Sequence, residues 1–325
     1  MTQTYFLGAN SKNGFASLYD GFPPDEGVFL HIIKGGPGTG KSSFMRRIGR
    51  AAQERGMDVH YVLCSGDPDS LDGVYLPALR AAWVDGTAPH AAEPRRFGVD
   101  SDYVNLGHFC RLPFTAADAE KISHISRTYK ALYGEAYRYL SAAADLGKAG
   151  KPSALPEPAV LAEIDSLLQP SGKTGARSRR FLHALTCQGD VRLNGEIQKL
   201  WKQIVQVGGQ AALTYISRSC RETAILCPSP LDPETREAIL LPERSLAFVD
   251  SGWLLPVWRS LVPATPVLAA EAETRQLRER CLALAFDKLR RAKALHDEME
   301  AIYKRYMDFP ALTAYTDILL AELFR

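Results

Sequence analysis

A chain of 325 residues that is 46% apolar and 23% charged has the composition of an ordinary globular protein and the length for two domains. Its net charge of +2 is too balanced for nucleic acid or an anionic membrane to be the main partner, and no run of about 18 apolar residues reads as a membrane span. Six cysteines without a C-x-x-C pair and seven scattered histidines argue against a disulfide framework or transition-metal site, and no basic-then-apolar leader opens the chain, so a cytoplasmic protein is expected.

In chain order, residues 5–9 read as a first strand and 15–21 as a short amphipathic turn or helix. Residues 28–33 form a continuous apolar run, the pattern of a buried strand. That run opens into Gly35, Gly36, Pro37, Gly38, Thr39, Gly40, Lys41, Ser42 and Ser43, where Gly35, Gly40, Lys41 and Ser42 fit G-x-x-x-x-G-K-[ST], the phosphate-cradling P-loop. Glycines let successive amides converge on one point, and the helix that follows adds its own N-terminal donors, so a nucleotide's phosphates are the expected ligand. Lys41 is expected to reach the β- and γ-phosphates, and the Ser42 hydroxyl to complete the shell of a Mg²⁺ ion. Phe44, Ile48 and Ala52 then share one helical face, with a stop near Gly56.

Residues 58–64 alternate as a second strand and lead into a turn-rich acidic loop at 65–73. Residues 79–84 read as a third strand ending at Asp85, and 103–106 as a fourth core strand. Strands alternating with helices predict an α/β fold, a mostly parallel sheet with helices on both faces. The P-loop and the 65–73 and 85–90 loops would then share the carboxyl edge, where ligands bind such sheets. From Thr115 a helical pattern runs to about Ala144, and a shorter helix covers 160–168.

The second half echoes the first in order. Phe6-Leu7-x-Ala9 returns as Phe181-Leu182-x-Ala184, Gly14 as Gly189, Gly35-Gly36 as Gly208-Gly209 and Cys64 as Cys227. Asp67-Pro68, Leu76-Pro77 and Val84-Asp85 return as Asp232-Pro233, Leu241-Pro242 and Val249-Asp250. A long helix over 271–306 and a shorter one over 312–324 repeat the appendage. The spacing shortens where Pro37 to Ser43 would fall, so tandem duplicated lobes are expected, the second without a P-loop; two unrelated α/β lobes are the alternative. The expected division is an ATP-binding lobe at 1–170, a basic linker at 171–180 and a degenerate lobe at 181–325. Gly172-Lys173-Thr174 imitates a P-loop end, but no strand precedes it, and it belongs to that linker.

Hydrolysis or transfer needs an acid to position the metal and a group to orient the nucleophile. Asp85, at the end of an apolar strand, is the Walker B candidate for Mg²⁺; a turn-initiating aspartate before Gly86 is the other reading. No glutamate follows it, so Asp67 and Asp69 are the candidates to orient water or accept a proton, or else they are loop punctuation. His90 is a weaker candidate for sensing the γ-phosphate.

These residues resemble a known family, the two-lobed bacterial P-loop ATPases, AAA-like and sometimes labelled nucleotide kinases. The similarity lies in YFLGANSKNGF at 5–15, IIKGGPGTGKSSF at 32–44, CSGDPDSLDGVYLP at 64–77 and VDGTAPH at 84–90, and fades through LAFVDS at 246–251. The resemblance implies an ATP-binding lobe followed by a related one. With the second P-loop missing, it implies one nucleotide per chain. The function expected is a Mg²⁺-dependent ATPase. A small-molecule or nucleotide kinase and a nucleotide-gated binding protein with little turnover are the alternatives. Beyond ATP, the sequence leaves the protein or small-molecule partner and the oligomeric state open.

Overall fold

The computed structural model describes residues 2–88, 93–148, 156–168, 175–253, 255–262 and 269–325. The first half contains β1 (Thr2–Phe6), β2 (Gly8–Ser11), β3 (Gly14–Ser17), β4 (Phe29–Lys34), α1 (Lys41–Gln53), β5 (Val59–Leu63), β6 (Leu71–Leu76), β7 (Ala81–Asp85), β8 (Ser101–Asn105), α2 (Ala116–Lys148) and α3 (Pro158–Leu167). The second contains β9 (Arg177–Arg179), β10 (His183–Thr186), β11 (Gly189–Arg192), α4 (Asn194–Leu200), β12 (Gln203–Val207), α5 (Gly209–Ser219), β13 (Ala224–Pro228), β14 (Arg236–Leu241), β15 (Leu246–Asp250), β16 (Arg259–Leu261), α6 (Ala269–Lys304) and α7 (Phe309–Leu323).

The fold is α/β, with two six-stranded mixed sheets. One runs β1-β5-β6-β7-β4-β8 and the other, taken in the same sense, β9-β13-β14-β15-β12-β16. In each sheet one strand, β6 or β14, is antiparallel to both neighbours, and the other strand pairs are parallel. That antiparallel strand corrects the sequence expectation. Residues 71–73 belong to β6 and not to the acidic loop, because Leu71, Val74 and Leu76 bury one face while Tyr75 buries the other.

Further corrections follow from packing. Residues 14–17 form β3, paired with β2 in a hairpin, and only Tyr19–Gly21 is a helical turn. β8 is an edge strand, bonded to β4 alone among the described strands. Among the described residues, α-helices do not cover both faces of the first sheet. One face carries α1 and α7, with Phe44, Ile48 and Leu312 in its core; the other is closed by Phe22, Leu18 and the β2–β3 hairpin. The second sheet does carry helices on both faces, with α5 and α3 on one and α4 on the other. Register also moves one match. Cys227 faces Ala238 as Val62 faces Gly73, so Cys227 takes the place of Val62 and not of Cys64.

Residues 175–180 are not a linker. Arg177–Arg179 is strand β9, and the buried Arg180 donates to Gln3 Oε1 at 3.0 Å while lying 4.2 Å from the Tyr5 ring. Residues 171–174, with the Gly172-Lys173-Thr174 imitation, lie outside the described residues, as does His90.

The halves meet through Phe6 and Phe181, which exchange backbone hydrogen bonds of 3.1 and 2.8 Å. On either side Lys12 reaches Asp232 at 2.7 Å, and Gln188 donates to Asp69 Oδ2 at 2.8 Å. The helical arms cross over. α2 and α6 pack antiparallel, with Leu140 near Ala285 and Ile125 near Ile302. From there α3 returns to the second sheet, burying Ile164 against Leu213 and Ile216, while α7 returns to the first, burying Leu312 beside Phe44. Each such buried aliphatic chain contributes about 1.5–3 kcal/mol. Neither half therefore has a complete core without the other's arm. No helix among the described residues is long and apolar enough to cross a membrane.

Candidate functional site

Strand β4, loop 35–40 and helix α1 stand in the order expected of a phosphate loop. Gly38 and Gly40 take φ of 69° and 90°, angles that side chains with a Cβ rarely adopt, which lets the loop wrap before the helix starts. Thr39 is buried and its hydroxyl donates to Gly36 O at 2.8 Å, bracing the loop from inside. The Lys41 amine donates to Gly35 O and Gly36 O, both at 2.9 Å. Pro37 is a half-buried turn residue of the loop, and Ser43 is exposed on the first turn of α1.

Asp85 ends β7, the parallel neighbour of β4. Its Oδ2 lies 3.6 Å from Lys41 Nζ, and its Oδ1 accepts from the Thr87 amide at 2.9 Å and the Thr87 hydroxyl at 2.6 Å. Burial pushes the Asp85 carboxyl above the ordinary carboxylate range, with Lys41 and the Thr87 bonds acting in the opposite direction. Ser42 Oγ accepts from the Leu71 amide at 2.9 Å, and Arg46 donates to Asp69 O at 2.7 Å. These bonds fasten the end of loop 64–70 and the start of β6 to the first two turns of α1.

A hydroxyl and a carboxylate are hard oxygen donors of the kind Mg²⁺ takes, usually with phosphate and water oxygens completing the octahedron. Ser42 and Asp85 are donors of the type that ion takes, and burial of the Asp85 carboxylate would strengthen its attraction for a cation. Among the described residues, no cluster of three or more His, Cys, Asp or Glu could hold a metal on protein ligands alone.

The structure thus brings Gly35, Gly36, Lys41 and Asp85 together. It separates the two other acidic candidates. Asp67 accepts from the Asp69 amide at 3.2 Å and from Ser70 Oγ at 3.1 Å, and its Oδ2 is 3.3 Å from Lys293 Nζ. Asp69 is exposed and its carboxylate faces Gln188 of the second half.

Residues that the sequence reading missed come from β6 and α6. Asp72, in β6, is buried, accepts from the Tyr19 hydroxyl at 3.0 Å, and its charge bears on Asp85. One face of α6 lies over the glycine loop. A Cβ added at Gly36 would fall 2.3 Å from Tyr303 Cε1, and one at Gly38 would fall 2.8 Å from Glu300 O. One turn earlier on the same face, His296 Nδ1 lies 3.5 Å from Glu300 Oε1, and the charge of Lys41 acts on the imidazole. Strand alternation would have found Asp72 had β6 been recognised. The helix of α6 is legible locally, but nothing local marks it as part of the site, because its contact with the loop is made across more than two hundred residues of sequence.

At the second sheet the counterpart arrangement is closed. α5 begins right after Gly208, and the Gly209 amide donates to Asp250 Oδ1 at 3.0 Å. The acid that in the first half meets Lys41 here caps a helix. Comparison with protein-family models, with curated proteins and with solved structures returned no match to this chain.

Proposed function

We propose that this protein binds ATP at residues 35–43 and hydrolyses its β–γ phosphoanhydride with Mg²⁺. The observation that carries the reading is the meeting of Lys41 and Asp85 at 3.6 Å, at the carboxyl edge of adjacent parallel strands and beside the N-terminus of α1. An ammonium there offsets the charge developing on the transferred phosphoryl group, while amides and helix N-terminus hold the rest of the chain of phosphates. Bound Mg²⁺ would supply further charge neutralisation through Ser42 and Asp85.

The same reading takes the chain as a P-loop NTPase of two duplicated lobes, in line with the two-lobed ATPases its motifs resemble. The equal strand order of the sheets and the mutual pairing of Phe6 with Phe181 support it. The capping of α5 by Asp250 supports one nucleotide per chain. A second reading, nucleotide-gated docking with little turnover, draws on one observation, the packing of α6 directly on the loop.

Purified protein with Mg²⁺ and ATP separates the readings. Phosphate release without an acceptor, lost in Lys41→Ala, supports the ATPase. ADP formation that requires an added acceptor supports a kinase, and tight binding without product supports the docking reading.

A further inference from the structure

Hydrolysis needs a group beside the terminal phosphate that orients water and takes its proton. Neither sequence candidate is free for this. Asp67 is held by the Asp69 amide, Ser70 and Lys293, and Asp69 is turned outward to Gln188. The loop's other wall is α6, whose residues Lys293, His296, Glu300 and Tyr303 recur at helical spacing on one face. Tyr303 and Glu300 rest on Gly36 and Gly38, Lys293 reaches Asp67, and His296 lies between them along the helix.

His296 is a half-buried imidazole on that face. Its Nδ1 lies 3.5 Å from Glu300 Oε1, so the carboxylate stands beside the ring and supports a proton taken up there. The Tyr129 ring of α2 flanks the imidazole, with centroids 5.8 Å apart. The charged groups facing it are Glu300, Lys293 and Asp297 on its own helix and Lys41 from α1. Burial lowers its pKa below 6.5, Glu300 and Asp297 pull upward, and Lys293 and Lys41 pull down, so the ring is neutral near pH 7.

Resting on the ATPase reading above, we infer that His296 is the catalytic base, accepting the proton of the water that attacks the terminal phosphate held by the first half's loop. The water oxygen bonds to the terminal phosphorus as the bond to the β–γ bridging oxygen breaks. The electron pair of that bond stays with ADP, and the water proton passes to the free nitrogen of the neutral imidazole. The imidazolium then returns the proton to solvent. Lys293, one turn away and tied to Asp67, adds positive charge on the same side. A base carried by a helix of the second half makes turnover depend on α6 lying on the loop.

The test uses the full chain with His296→Asn and His296→Gln, MgATP binding by calorimetry, and phosphate release from pH 5 to 9. Both variants are expected to bind MgATP within about threefold of wild type and to release phosphate about 10²–10⁴-fold more slowly. They are also expected to lose the acid limb of the wild-type rate profile. Glu300→Gln, which removes a charge that raises the imidazole, should move that limb to lower pH. Turnover within about threefold of wild type, an unchanged acid limb, or binding lost in step with turnover each overturns the assignment. Wild type that binds but does not hydrolyse MgATP overturns it too, while leaving the loop as a nucleotide site. Wild type that binds none overturns the loop reading along with it, whereas active variants overturn only the role of His296.

Discussion

Lys41 Nζ stands 3.6 Å from Asp85 Oδ2, with only 11% and 12% of the two side chains exposed. A cation and an anion are thus held apart from bulk water where strands β4 and β7 end side by side, and low local dielectric strengthens every charge interaction made there. Asp85→Asn keeps the shape and removes the charge. MgATP-dependent turnover is expected to fall by about 10²–10³-fold with part of the nucleotide affinity retained, and the activating effect of Mg²⁺ to flatten. A titration of rate against Mg²⁺ concentration checks this, and a curve identical to wild type counts against Asp85.

The docking of α6 on the glycine loop makes two neighbouring glycines respond differently to the same change. Gly36→Ala drives a methyl into the Tyr303 ring, which truncation removes. Gly38→Ala meets the backbone at Glu300 and also carries a φ of 69°. Each single variant should lose about 1–3 kcal/mol of stability in urea denaturation. Adding Tyr303→Ala should recover part of the loss for Gly36→Ala and none for Gly38→Ala, a coupling read from the double-mutant cycle. Equal behaviour of the two pairs would mean that α6 does not lie as described.

His183 in the second half is enclosed by two carboxylates, Asp190 at Nδ1 and Glu237 at Nε2, the latter at 2.6 Å. Burial disfavours its charge, yet Glu237 and Asp190 outweigh that and raise its pKa above 6.5. A raised histidine stabilises the fold fully below the unfolded value of 6.5 and loses the contribution as pH rises through its folded pKa. Burial likewise opposes ionisation of Asp190 and Glu237, but His183 lowers both below 3.8 and 4.5, so their share is lost on acidification. Wild type should therefore exceed His183→Gln most between about pH 4.5 and 6.5, with the gap narrowing toward pH 9. Melting curves across that range test it; a gap that widens with pH contradicts the ion triad.

Asp250 occupies the strand position of Asp85 but serves a helix terminus. Asp250→Ala should cost about 1 kcal/mol, the usual value of a lost cap, and leave phosphate release unchanged. A fall in turnover comparable to that of Asp85→Asn would show that the second sheet takes part in chemistry.

What could be read from sequence was what chemistry writes locally. The glycine spacing of 35–40, the apolar runs of β4 and β7 and the helical periods of α2 and α6 each belong to one segment. β6 was hidden because Asp72 and Gly73 read as turn residues, although Asp72 is buried against Tyr19. β9 was hidden because Arg177, Arg179 and Arg180 read as a solvated run, while Arg180 stacks on Tyr5 and bonds Gln3. The crossing of α3 and α7 and the seating of Glu300 and Tyr303 on the glycine loop are long-range relations that no residue pattern announces.

The central claim is that the loop at 35–43 grips a triphosphate through Lys41. Calorimetric titration of wild type and Lys41→Ala with MgATP tests it most directly. A saturable binding heat at one site per chain in wild type, abolished or weakened at least about a hundredfold in the variant, is the expected result. Equal uptake by both proteins, or none by wild type, would contradict it.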